Sequence, residues 1–266
     1  MNTDTLTAVI TGGSSGIGLS TAIALKDKGY NVFELSRRDF FFEGITHIKC
    51  DVTDEQSVKS SIEYVISRTG AIDLLITCAG YGIAGAIEFT NLEDSKNQLD
   101  VNFFGTVNSV KAVIPFMREK LQGKIICLSS VAGAISIPFQ AYYSVSKAAI
   151  NSYVRALANE VKPFNIKVCA IMPGDIHTPF TSARKTSLKG DDLYNNRISR
   201  SISTMEQDEL NGASSKKAAD FIVSTAAKKS FKPIYVMGFK YKLFVLLSKI
   251  MPERAVSAIV ASLYAK

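Results

Sequence analysis

The strongest constraint on how this chain can fold is an alternation. Short, continuous apolar runs take turns with longer segments of helical spacing. The runs are TAVIT (from Thr7), NVFELS (from Asn31), HIKCDV (from His47), IDLLIT (from Ile72), GKIICLS (from Gly123), IKVCAIMP (from Ile166) and KPIYVM (from Lys232). A strand with one wet face alternates apolar and polar residues. A continuous run needs cover on both faces, which helices on either side of a parallel sheet provide. The intervening segments supply those helices. Leu19, Ile23 and Leu25 lie roughly at helical spacing before a stop at Gly29, and Val58, Ile62 and Val65 follow a capping residue at Asp54. A longer helical stretch runs from about Leu92 to Glu119, and another begins near Tyr142. The expected architecture is α/β: a single-domain, doubly wound parallel sheet of the Rossmann type, with about seven strands and helices on both faces. With 266 residues, no internal repeat and no low-complexity linker, residues 1–266 read as one domain.

Two segments break the rhythm. Residues 175–214, which begin within PGDIHTPF and run on through a polar stretch from Thr181, are long for a connection in a compact domain, so a functional lid is expected there. Leu193, Tyr194, Ile198 and Ile202 give it some helical pattern, which argues against a floppy insertion. Residues 238–266 form a basic, apolar extension.

Composition narrows the chemistry. Cys50, Cys78, Cys127 and Cys169 are scattered through apolar runs with no CxxC, so buried free thiols in a reducing, cytoplasmic setting are expected. With His47 and His177 the only histidines, a metal site or a Ser-His-Asp triad has few candidates, and no metal is expected. The start of the chain lacks the pattern of a signal peptide, and no apolar run reaches the ~20 residues of a membrane-spanning helix. The net charge of +7 is uneven, because residues 211–266 hold ten Lys/Arg against two Asp/Glu. A solvated surface is the first reading; attraction to a membrane surface or an anionic substrate is the second. No nucleic-acid partner is expected.

TGGSSGIG, Thr11 to Gly18, falls between the first strand and the first helix, where a doubly wound sheet binds a dinucleotide pyrophosphate. Its glycines let the backbone turn and approach phosphates, and the helix N-terminus offers N–H groups and a positive dipole. Gly12, Ser14, Ser15, Gly16, Ile17 and Gly18 are the candidates. A tight βα connection would account for the turn taken alone. At the end of the second strand Ser36 is followed by Arg37 and Arg38. Guanidinium groups suit a ribose 2′-phosphate, which favours NADP(H). Glu34, further back in the strand, is the rival for an NAD-type contact. Asp51, beside Val52, either accepts from an adenine amino group or caps a turn.

Tyr143 and Lys147 in QAYYSVSKAAIN are four residues apart and share a face of any helix there, whereas Tyr142 faces Ser146. A nearby ammonium stabilises phenolate and would lower the tyrosine pKa from about 10. Tyr143 would then exchange a proton with a carbonyl oxygen. On spacing alone the pair is an ordinary helix surface. Ser130, at the C-terminal end of the fifth strand, can orient a substrate oxygen, and Asn102 in DVNFFG hints at a polar task such as holding a water for proton relay.

Taken together, TGGSSGIG, DV at Asp51 and Val52, CAG at Cys78 to Gly80, DVNFFGT, SSVAG, YSVSK and PGDIHT resemble the short-chain dehydrogenase/reductase superfamily from about Leu6 to Met237. The resemblance implies hydride transfer with NADP(H), Tyr143 as acid/base, Lys147 on the ribose and lowering the tyrosine pKa, Ser130 on the substrate oxygen and Asn102 in the relay. It also places Ala79, Gly80, Pro173, Gly174, Ile176 and Thr178 against the cofactor, with Arg37 at the 2′-phosphate. Cys78 departs from the family's Asn-Asn-Ala-Gly and puts a structural hydrogen bond in question. The run from Ala79 to Met117 resembles the hydroxysteroid, retinol and acyl-dihydroxyacetone-phosphate reductase branch, which implies a small apolar alcohol or ketone, such as a hydroxysteroid, bile acid or lipid ketone. Ile135, Ile137 and Phe139 suit a greasy pocket or ordinary packing. A homodimer or homotetramer is implied by resemblance only. A redox sensor or scaffold that binds NADP(H) without turnover is the alternative from another class.

The extension carries Leu243, Phe244, Leu246, Leu247 and Ile250, flanked by Lys240, Lys242 and Lys249. It reads as a helix over the substrate mouth, a dimer contact or an interfacial membrane helix. Packing on the protein ranks first, and peripheral membrane contact second.

Overall fold

The computed structural model describes residues 5–265. Seven parallel strands form the central sheet: β1 (Thr7–Thr11), β2 (Asn31–Ser36), β3 (Ile45–Lys49), β4 (Leu74–Thr77), β5 (Gly123–Leu128), β6 (Ile166–Met172) and β7 (Ile234–Val236). Their spatial order is β7-β6-β5-β4-β1-β2-β3. Ala8 pairs with Val32 on one side and with Leu74 on the other. Connections therefore leave β1 and β4 in opposite directions, and a crevice opens beyond their C-terminal ends.

The continuous apolar runs bury both faces. Val9, Leu75, Ile125 and Val168 point to one layer, covered by α2 (Glu55–Thr69), α4 (Gly105–Glu119) and α5 (Ala141–Glu160). Their neighbours Ala8, Ile10, Leu74, Ile76 and Cys169 point to the other, covered by α1 (Gly16–Lys26) and α7 (Ser215–Ala226). Asp54 caps α2 by accepting from the amides of Gln56 and Ser57, as its position predicts, and Gly70 ends the helix at φ 72°. All four cysteines are free; Cys78 is half-buried and the other three are buried.

The stretch from Leu92 to Glu119 is not one uniform α-helix. It comprises α3 (Leu92–Leu99), a π-helical turn at Asp100–Phe104, and α4. The wider turn takes in one extra residue and swings Asn102 inward, where it is fully buried.

Residues 175–214 are tied down at several points. Ile176 and His177 pair with Ala213 and Ser214, and Lys185 and Thr186 pair with Ile83 and Ala84. The helix α6 (Arg197–Leu210) buries Ile198, Ile202 and Met205 against Ala84 and Ala86, with Phe139 and Tyr194 alongside. Leu193 stays exposed. The extension forms α8 (Phe239–Ile250) and α9 (Glu253–Tyr264). Among the described residues no helix is long and apolar enough to cross a membrane.

Candidate active site

A single cleft of about 1310 Å³ runs from the glycine turn to α9. Its lining includes every sequence-derived catalytic and cofactor residue except Asn102, together with Ile135 and Ile137 but neither Phe139 nor Glu34.

The dinucleotide end is built by missing side chains. Gly12 has φ 68°, and a Cβ there would lie 2.7 Å from the Ala79 Cα, so the β1 turn rests directly on the β4 loop. Ser15 stands at the N-cap of α1 but makes no side-chain cap, which leaves the first-turn amides free to face a phosphate. Across the crevice, the Thr178 Cβ comes within 3.5 Å of a Cβ placed on Gly16. At the other wall Arg37 reaches to 3.9 Å from the Asp51 carboxylate, and Arg38 donates to the Ser15 hydroxyl at 3.4 Å. The Ser36 hydroxyl donates to the Arg38 carbonyl.

Two alternatives separate here. Glu34 is fully buried, its Cγ lies 2.6 Å from a Cβ placed on Gly13, and one carboxylate oxygen sits 2.5 Å from His47 Nδ1. It faces away from the cleft and does not compete with the arginines. Asp51 accepts from the amide and hydroxyl of Thr53, so it caps a turn while still lining the cleft.

At the centre, Tyr143 and Ser130 line the cleft together, and the Ser130 hydroxyl accepts from the Ala132 amide at 3.1 Å. Lys147 is buried and donates from Nζ to the Leu128 carbonyl at 2.9 Å, with the ammonium 5.6 Å from the Tyr143 ring centre. The expected lowering of the tyrosine pKa does not occur. Burial pushes the Tyr143 phenol up to about 12; Ser130 and Arg184 pull it down and Glu209 pushes it up. Burial also drives Lys147 down to about 8. Desolvation outweighs attraction, because both groups lose water while their charges stay apart. Tyr143 is thus a protonated donor across the neutral range.

Asn102 stands behind the cleft wall. Its side-chain carbonyl accepts from the Tyr81 amide at 3.0 Å, and its amide donates to the Tyr81 carbonyl and to the Ser146 hydroxyl. Ser146 donates in turn to the Tyr143 carbonyl at 2.7 Å. The Asn102 side chain therefore ties the β4 loop to the first turn of α5. A Cβ on Gly80 would lie 2.9 Å from its oxygen and 3.8 Å from Lys147 Nζ. Cys78 lines the cleft, and burial pushes its thiol up to about 12, which keeps it neutral.

Several cleft residues carry no local signal in the sequence. Phe180 sets its ring 5.5 Å from that of Tyr143. Arg184, buried, pairs with Glu209, which also accepts from the Thr181 hydroxyl at 2.7 Å. Asp175 accepts from Tyr241 at 2.5 Å, and Asp208 from Tyr264 at 3.0 Å. Leu247 of α8, Val256 and Val260 of α9, and Met251 between the two helices complete an apolar wall.

The family model described as short chain dehydrogenase matches residues 6–189. The sequence is 43% identical over 225 residues to a 3-ketodihydrosphingosine reductase of Bacteroides thetaiotaomicron, covering 84% of each chain. The structure is similar to that of a short-chain dehydrogenase from Streptomyces avermitilis, with a TM-score of 0.85 at 26% identity over 98% of this chain and 97% of that one. It shares its fold with ElxO with NADP bound, with a TM-score of 0.74 at 23% identity over 90% and 99% of the two chains.

Proposed function

The chain belongs to the short-chain dehydrogenase family, and on that premise we propose that it is an NADP(H)-dependent reductase of a long-chain ketone of the 3-ketodihydrosphingosine type. The observation that carries this reading is that Ser130, Tyr143 and Lys147 line one cleft between the glycine turn and a long apolar wall. Bound NADPH supplies the hydride. The free amides of α1 and the side chains of Arg37 and Arg38 suit its phosphates, and ElxO, a protein of this fold, holds NADP. Ser130 holds the substrate oxygen, and Tyr143 donates its proton there as negative charge develops. Lys147 holds the ribose, and Asn102 keeps the β4 loop and α5 in register around it. Residues 175–214 act as a lid that excludes water, with Phe180 against Tyr143.

The name of the Bacteroides relative directs the substrate, and two features support it. The α8–α9 wall suits an alkyl chain, and the carboxylates of Asp175 and Asp208 in the same cleft suit an ammonium beside the ketone. In this reading two or four copies assemble through α4 and α5, whose outer surfaces expose Phe104, just before α4, and Val145. The test is NADPH oxidation with 3-ketodihydrosphingosine, a ketone of equal chain length without the amine, retinal and a ketosteroid. Highest kcat/KM for the amino ketone is expected. Preference for the ketosteroid would overturn the substrate, and turnover of none would overturn the reductase reading.

A further inference from the structure

The outward side of α8 is unlike the rest of the surface. Successive residues of an α-helix advance by about 100°, so Phe239, Leu243, Leu246 and Ile250 fall on one strip. Phe239 is 82% exposed and Ile250 71% exposed. None of the four lines the reaction cleft, whereas Phe244 and Leu247, on the adjacent side of the same helix, and Met251, just past its end, all do. On α9, Ile259 and Leu263 are both exposed and part of the cleft wall. Apolar surface is therefore continuous from the outside of the molecule, over α8 and α9, into the cleft that holds Tyr143.

Charge on this surface has one dominant sign. Between residues 239 and 264 stand Lys240, Lys242, Lys249 and Arg254, against the single acid Glu253. The lysines flank the strip, and Lys240 lies over the rings of Tyr241 and Phe244. The exposed Lys242 and Lys249, with long aliphatic stems beside an apolar strip, match the boundary between acyl chains and anionic headgroups. A second copy of the chain would bring the same positive charges face to face, which disfavours pairing through this surface.

We propose that α8 and α9 seat the enzyme on an anionic lipid bilayer, and that an apolar ketone passes from the bilayer between them into the cleft. This rests on the reductase reading for its substrate, and it adds a membrane surface as the partner. The depth of contact is that of a helix lying in the interface, with no span.

The test uses the full chain and vesicles of phosphatidylcholine, alone or with a minority of phosphatidylglycerol. Flotation of the wild type with the anionic vesicles is expected. The double variant Phe239→Ser with Ile250→Ser, and separately Lys242→Gln with Lys249→Gln, should each weaken binding by about tenfold or more. Both variants should reduce a short, water-soluble ketone at the wild-type rate but lose turnover of a ketone dissolved in vesicles. Failure of the wild type to float, or equal flotation of wild type and variants, overturns the proposal, while turnover of the soluble ketone tests the reductase reading separately. A fall in oligomeric state in the Phe239/Ile250 variant, with vesicle binding unchanged, would assign the surface to a second copy instead.

Discussion

Tyr143→Phe separates chemistry from architecture, because the structure gives the hydroxyl and the ring different duties. The ring keeps Phe180 at 5.5 Å and the Lys147 ammonium at 5.6 Å. Ser130, on losing the phenol, keeps the Ala132 amide at 3.1 Å. The fold thus gives up at most the phenol's contact with Ser130, no more than one hydrogen bond's worth of about 1 kcal/mol net. For a chain of this size that corresponds to a fall in Tm of about 2–4 °C. The reaction loses its proton donor, which in general acid catalysis is worth about 10²–10⁴ in rate. At ~1.36 kcal/mol per decade this is roughly 3–5 kcal/mol, several times the structural cost. The assay is single-turnover NADPH oxidation at saturating ketone, with NADPH fluorescence for binding and thermal denaturation for stability. Reduction should fall by at least about a hundredfold, with NADPH affinity held within about twofold. A rate within about tenfold of wild type would refute the acid role. A loss of Tm beyond about 10 °C would show that the damage is structural.

Arg37→Ala should raise the KM for NADPH by about ten- to a hundredfold, the worth of charge-assisted bonds to a phosphate, and leave that for NADH nearly unchanged; equal effects on both cofactors would remove the 2′-phosphate role. The pH profile tests Lys147. Burial holds its ammonium near 8, so the charged form predominates below that pH and is lost above it, while Tyr143, pushed up to about 12, stays protonated throughout. Reductive kcat/KM should therefore be level below pH 8 and decline above it, and in Lys147→Met the decline should vanish along with most of the rate. A decline that survives in the variant would belong to another group.

The sheet was legible from its apolar runs because each strand is buried on both faces and needs no long-range information to declare itself. The same holds for Asp54, whose capping duty is local. Glu34 and Arg37 were competitors in one dimension, and only the third dimension separates them: Glu34 is packed beneath Gly13 and tied to His47. The tyrosine pKa ran opposite to expectation because four-residue spacing reports neighbours but not the loss of water. The Arg184–Glu209 pair joins residues far apart in sequence, with no spacing or composition to announce it, whereas the apolar spacing of Phe244 and Leu247 did announce a helix over the cleft.

The π-helical turn at Asp100–Phe104 has a consequence for what the chain can tolerate. It holds one residue more than an α-helical ladder would accept at that point, and the wide turn absorbs that residue while α3 and α4 keep their phase. Deleting one residue of the turn would let the α-helical ladder run straight through, so Val110, Val113 and Met117 would keep their places in the core. What would go is the inward swing of Asn102, and with it the bonds to Tyr81 and Ser146. The alignment of the β4 loop with α5 thus depends on the length of the chain in this turn, whereas the packing of α4 on the sheet does not.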